Sequence, residues 1–256
     1  MKRWIAAALA CVTLSAHAIS IGSFGRSAVN YADAALENGG EYDQLRAEFL
    51  RRGDTVSSLD RFSAASLANI DVFYTSLPDS LQRQSAEELE ALLAWVQAGG
   101  TFISAGEYSI GFDRYNNLLA PFGVSVVTDL PYWATASVND AASPIVNGTN
   151  GTVSSFNFYA AGGFAGDDLD VLAVEAGAPI LIHKTVGRGQ LIAIGDQNLF
   201  TDSYIGANEK ILFLNMLDSA STTPVPEPDA SSLLAMGLAA MGLVGWQRRR
   251  ARLDRN

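Results

Sequence analysis

The chain has one cysteine, Cys11, and two histidines, His17 and His183. Cys11 and His17 both fall in a stretch that reads as a leader, so the rest has no thiol and a single imidazole. Without a thiol there is no disulfide, no cysteine nucleophile and no thiolate metal site. Basic residues are also scarce: 17 lysines and arginines stand against 27 acidic residues, a net charge of −10 over 256 residues. Between residues 19 and 224 the imbalance grows to ten basic against 24 acidic residues, a net of −14. A surface of that sign repels phosphates and excludes nucleic acid as a partner. It suits an exported soluble protein whose copies repel one another.

What is present is most distinctive at the two ends. Lys2 and Arg3 precede an uncharged stretch from Trp4 to Leu14, and Ala16-His17-Ala18 comes next. A cationic start, a short apolar middle and a small-x-small site predict a signal peptide over 1–18, cut by signal peptidase after Ala18. The alternative, a lipoprotein modified at Cys11, leaves only Trp4–Ala10 as its apolar run. At the other end Val225-Pro226-Glu227-Pro228 leads into an uncharged run from Ala230 to Trp246, closed by Arg248, Arg249, Arg250, Arg252 and Arg255. The prolines cannot continue a helix, and they uncouple the apolar run from the body. As a helix, that run would be roughly 25 Å long, a little short of the ~30 Å hydrocarbon core. The arginines after it would stay on the cytoplasmic side of the inner membrane.

Pro-Glu-Pro, a short apolar span and an arginine end, in that order, resemble the PEP-CTERM sorting signal of Gram-negative, exopolysaccharide-producing bacteria. The resemblance covers only the tail, 220–256. It implies a membrane protease-transpeptidase, exosortase, as a partner that recognises Pro226-Glu227-Pro228 and removes the tail. It also implies passage through the inner membrane to the outer membrane, cell surface or extracellular matrix.

Between the ends, 19–219 reads as one α/β domain, large enough for a single well-filled core. Ile19–Phe24, a piece from Thr55, and Ile70–Thr75 carry strand patterns; Tyr42–Arg52 places Tyr42, Leu45 and Phe49 at helical spacing. Ser85 and Glu88 form a capping box for a helix over Ala86–Ala98, stopped by Gly99 and succeeded at once by a strand at Thr101–Ser104. Strand, helix and strand with short joins predict a parallel pair. Arg114–Phe122 reads as helix, Gly123–Val127 as strand, 129–168 as strands and loops. Val171–Glu175 and Pro179–Val186 are strands, Gly187-Arg188-Gly189 turns an antiparallel hairpin into Leu191–Gly195, and a last helix spans Glu209–Ser219. The expected fold is a layered, mostly parallel sheet with flanking helices and a late hairpin, succeeded by the apolar helix of the tail.

Leu92, Trp95, Val96 and Gly99-Gly100-Thr101-Phe102-Ile103, with the later run from Gly187 to Asp196, resemble the class I glutamine amidotransferase-like superfamily over most of 19–219. That resemblance implies a flavodoxin-like layered fold. Working members use a cysteine on the turn after a strand, with histidine and a carboxylate. The corresponding turn here, Ser104-Ala105-Gly106-Glu107, has no cysteine, so no triad and no catalytic residue is carried over.

The candidate ligand cleft is Ser104, Glu107, Asp196, Asn198 and Asp202, because open α/β sheets place ligands at strand ends. Asp196, Asn198 and Asp202 can equally bond their own backbone in turns. Ser104 as a nucleophile would need His183 as its base, and a lone strand histidine is more often a packed, hydrogen-bonded one. Gly166-Asp167-Asp168-Leu169-Asp170 lacks the spacing of a calcium loop and reads as a solvated loop; a calcium-stabilised adhesion module is the alternative. Pro131-Tyr132-Trp133 either anchors a loop or stacks on sugar. The expectation is a non-catalytic envelope or matrix protein binding exopolysaccharide or a protein partner, without cofactor or metal. The alternative is a hydrolase of surface polysaccharide using Glu107 and Asp196.

Overall fold

The structure, a computed structural model, describes residues 18–29, 35–36, 40–76, 78, 83–108 and 112–221. The chain divides into two units, Met1–Ser221 and Thr222–Asn256. The tail with its sorting motif and its expected apolar helix lies outside the described residues, as does the leader up to His17. Among the described residues no helix is long and apolar enough to cross a membrane.

In chain order the elements are β1 (Ser20–Phe24), α1 (Asp43–Arg52), β2 (Thr55–Leu59), α2 (Ala64–Leu67), β3 (Val72–Thr75), α3 (Ala86–Gln97) and β4 (Thr101–Ala105). Next come α4 (Phe112–Leu119), β5 (Val124–Asp129), β6 (Ala134–Val138), β7 (Asn147–Gly148), β8 (Gly151–Thr152) and β9 (Ser155–Phe158). The last are β10 (Gly162–Gly166), β11 (Asp170–Glu175), β12 (Ala178–Val186), β13 (Gly189–Ile194) and α5 (Ala207–Ser221). The capping box that announces α3 is made on both sides: Glu88 N–H donates to Ser85 Oγ at 3.3 Å, and Ser85 N–H to Glu88 Oε2 at 2.9 Å. Gly53, at φ 85°, ends α1 in the left-handed region that glycine adopts without a Cβ penalty.

Among the described residues, nine strands form one sheet in the order β2-β1-β3-β4-β13-β12-β11-β6-β9. The first five are mutually parallel, and every later pairing is antiparallel. All strands except β12 and β6 therefore run the same way. The parallel pair around α3 and the β12–β13 hairpin stand where the sequence predicts them. Every residue of β3, β4 and β13 is buried, because helices cover both faces there. On one face α1 and α5 bring Leu45, Phe49, Leu212 and Phe213 against Ile103, Ile192 and Ile194. On the other, α2, α3 and α4 bring Leu67, Leu92, Val96, Tyr115 and Leu118 against Phe73, Phe102 and Ala193.

The antiparallel half is larger than one hairpin. It takes in β6 and β9 and curls until the chain leaving β9 meets the end of β13, where Gly162 N–H donates to Gly195 O at 2.9 Å. A Cβ on Gly195 would lie 2.2 Å from Gly162 O, so this closure needs a residue without a side chain.

Candidate functional site

The strands that share a direction all end at one edge of the sheet, and four stretches of chain converge there. Gly106-Glu107-Tyr108 leaves β4, the turn from Gly195 to Tyr204 leaves β13, Tyr159 leaves β9, and Pro131-Tyr132-Trp133 enters β6, which runs the opposite way. The first two are stitched together: Gly106 N–H donates to Ile194 O at 2.6 Å, and Gln197 N–H to Gly106 O at 2.7 Å. This is the edge at which open α/β sheets bind ligands.

The floor of the edge is polar. Asp196 is fully buried and takes the backbone N–H of Tyr159 at 2.6 Å and of Asn198 at 2.7 Å, with Ala160 N–H as a further donor. Burial pushes its carboxyl up to about 7, against the pull of those donors, and the charge of Glu107 adds to the rise. Glu107 is also buried; its Oε2 accepts from Gln197 Nε2 at 3.0 Å and Asn198 Nδ2 at 3.3 Å, and its Oε1 from Tyr108 N–H at 3.2 Å. Burial raises its carboxyl despite these bonds. Behind them Tyr74 Oη donates to Tyr42 Oη at 3.0 Å, and Tyr42 Oη to Gln197 O at 3.4 Å. Burial drives both of these hydroxyls upward.

Of the five residues that strand-end reasoning groups into a cleft, the structure brings together Glu107, Asp196 and Asn198. Ser104 lies inside β4, 1% exposed, beside Ala193 of β13, which pairs in turn with Ile182. His183 pairs with Ile192, one residue along, so its side chain projects from the opposite face of the sheet and cannot serve Ser104. Instead His183 Nδ1 meets Asp170 Oδ2 at 2.9 Å and Nε2 meets Gln190 Oε1 at 3.1 Å. Asp202 caps α1: its carboxylate takes Asp43 N–H at 3.1 Å and Gln44 N–H at 2.9 Å. Asp170 is thus bonded to His183, and Lys184 Nζ donates to Asp167 O at 2.8 Å. Among the described residues no group of three or more His, Cys, Asp or Glu could hold a metal ion.

Above the floor the edge is aromatic and open. A pocket of about 320 Å3 is lined by Trp133, Thr135, Asn157, Tyr159, Ser203 and Tyr204, with Ala134, Phe158 and Leu199 beneath. Trp133 is 66% exposed and Tyr204 41%, and the two rings stand side by side. Trp133 meets Tyr159 with ring centres 4.5 Å apart and Tyr204 at 5.3 Å, and Tyr159 and Tyr204 stack at 5.6 Å, 7° from parallel. Tyr132 and Tyr108 continue the row. Trp133 holds φ 55°, a left-handed backbone that costs a bulky residue about 1–2 kcal/mol. Its N–H donates to Tyr159 O at 3.0 Å, which holds it there. Strain of this kind clusters at active sites and ligand clamps, which makes Trp133 a candidate. Pro131-Tyr132-Trp133 signals one of the three clustered rings, Trp133, in the sequence. Tyr159 directly follows Phe158 at the end of β9 and Tyr204 is a lone ring in a turn; nothing local marks either as part of a site.

Comparison with known proteins adds a family but no activity. The family described as a domain of unknown function, DUF4350, matches residues 44–214, and the PEP-CTERM protein-sorting motif matches residues 224–250. No curated protein matches the chain. Among solved structures it is similar to the mmIFT52 N-terminal domain, with a TM-score of 0.59 at 18% identity over 79% of this chain and 97% of that one. It is similar to a cytoplasmic protein from Salmonella typhimurium, with a TM-score of 0.56 at 15% identity over 78% and 98% of the two chains. A beta-galactosidase from Rahnella sp. R3 reaches a TM-score of 0.50 at 14% identity over 80% of this chain and 31% of its own. At such identities the likeness is one of fold alone.

Proposed function

Because the chain belongs to the DUF4350 family and ends in a PEP-CTERM sorting signal, we propose that it is a non-catalytic glycan-binding protein of the cell envelope or matrix. The sorting signal makes it an exported protein and an exosortase substrate. In this reading the leader is removed after Ala18, the tail crosses the inner membrane transiently, and 19–219 is delivered to the outer membrane, cell surface or extracellular matrix. The resemblance to the class I glutamine amidotransferase-like superfamily, with the catalytic cysteine absent, belongs to the same reading.

The observation that carries the proposal is the ring cluster of Trp133, Tyr159 and Tyr204 around an open pocket. Aromatic rings with polar tips offer flat apolar faces to the C–H faces of a sugar, while Thr135, Asn157 and Ser203 offer hydrogen bonds to its hydroxyls. Exopolysaccharide is the polymer such a protein meets on export. A carboxylate-dependent hydrolase is the second reading, favoured by the raised carboxyls of Asp196 and Glu107. Their burial and their full sets of donors from the chain itself weigh against a glycosidic bond reaching them.

The test uses protein purified from its host, titrated with the host's exopolysaccharide while tryptophan fluorescence is monitored. Saturable quenching is expected, and Trp133→Ala should weaken binding about tenfold, the equivalent of ~1.4 kcal/mol. Wild-type protein that shows no binding would overturn the reading. Polymer hydrolysis abolished by Glu107→Gln would replace it with the second.

A further inference from the structure

Resting on the glycan-binding reading, we infer that the pocket takes uncharged sugar units, hexose or N-acetylhexosamine, and excludes uronate-bearing polymers. Among the described residues its lining holds no carboxylate, ammonium, guanidinium or imidazole; its polar side chains are Thr135, Asn157, Ser203, the tyrosine hydroxyls and the indole N–H of Trp133. A uronate or sulfate seated there would lose its water without gaining a cation, a transfer that costs several kcal/mol.

The residues that support the wall sharpen the exclusion, because their partners are acidic. Ser203 Oγ donates to Glu41 Oε2 at 3.2 Å, Asn157 N–H donates to Glu209 Oε1 at 2.7 Å, and Tyr159 N–H to Asp196 Oδ2 at 2.6 Å. Asp202 is the next residue before Ser203 and faces α1. Three carboxylates, Glu41, Asp202 and Glu209, thus stand directly behind or beside an uncharged lining, with Asp196, raised to about 7, a weaker fourth, on a body whose net charge is −14. A polyanion approaches against that field at every distance inside the ~8 Å screening length of physiological salt. An uncharged ring meets none of this and keeps its stacking on Trp133 and Tyr159. At about 320 Å3 the pocket is at the small end of ligand sites, so it fits a chain end or one exposed unit better than a long stretch.

The probes are a neutral glucan, a neutral galactomannan and alginate, a polymer of uronates. Each is titrated into host-purified protein at low and at physiological salt. Binding to at least one neutral polymer is expected, about tenfold tighter or more than to alginate and nearly unchanged by salt. Ser203→Lys, which places a cation at the wall, should raise alginate binding severalfold and make it salt-sensitive. Alginate bound as tightly as the neutral polymers would overturn the inference and leave glycan binding standing. Silence toward all three, with the host's own polymer bound, would overturn it too. Silence toward every polymer, the host's included, would remove both readings.

Discussion

Two clusters of side chains sit one layer apart at the same edge of the sheet, and they are built on opposite principles. Glu107, Asp196 and Asn198 are rich in chemistry but tied to one another, each carboxyl oxygen of Glu107 and Asp196 engaged by the chain's own donors. Trp133, Tyr159 and Tyr204 have no carboxylate or ammonium, yet Trp133 and Tyr204 are open to solvent, Tyr159 is half-buried between them, and Trp133 is held at a backbone cost. The hydrogen bond from Tyr159 N–H to Asp196 joins the layers. The buried carboxylates read as the mount and the rings as the working surface. On the glycan-binding proposal, titratable residues at a strand end mark the edge without being the part that binds.

The strongest way to break this contrast is to remove the mount. Asp196→Ala leaves the part-buried N–H groups of Tyr159 and Asn198 without their acceptor, at roughly 1–3 kcal/mol each, so urea unfolding should show a loss of about 2 kcal/mol or more. A loss under 1 kcal/mol would mean that the carboxylate serves the ligand instead. The pH profile sharpens the same point. The carboxyl is raised from its ordinary 3.8 to about 7 in the fold, so between those values the unfolded chain has lost a proton that the folded one keeps. Stability is therefore greatest at the acid end of that window and falls as pH rises toward about 7, by at most ~1.4 kcal/mol per pH unit. Glu107 contributes in the same direction, and Asp196→Asn should flatten most of the slope.

A smaller effect is expected at Asp202, whose carboxylate caps α1 from far along the chain. Asp202→Ala should cost about 0.5–2 kcal/mol of unfolding free energy. If sugar affinity fell by more than stability, Asp202 would belong to the pocket instead. The smallest stability change is expected at Trp133→Gly. Glycine relieves the left-handed backbone while the exposed indole is lost, so folding stability should stay within about 1 kcal/mol of the parent. Sugar binding should fall as far as in Trp133→Ala. A destabilisation of 3 kcal/mol would show the ring to be packing, and the two layers would then be alike.

Much of the scaffold is legible in the chain alone. The α3 capping box, the short join into β4 and the Gly187-Arg188-Gly189 turn are local signals, each satisfied within a few residues of itself. The antiparallel extension is not: β6 has five residues and β9 four, too short for a hydrophobic period to show. α2, a single turn over Ala64–Leu67, escapes for the same reason. At the site, strand-end logic finds Glu107, Asp196 and Asn198 but cannot see that Ser104 and His183 leave opposite faces. That depends on the register of three strands.

Whatever is written in continuous order can be read from the residues themselves: the sorting tail, the acidic and thiol-free body, and the strands and helices whose patterns span a turn or more. Which groups face water is settled only when the chain folds. Trp133, Tyr159 and Tyr204 come from three separate loops, and only the curl of β6 and β9 back onto the end of β13 makes them neighbours. A binding surface assembled by long-range closure leaves no local pattern, because each residue in it keeps the company of its own loop.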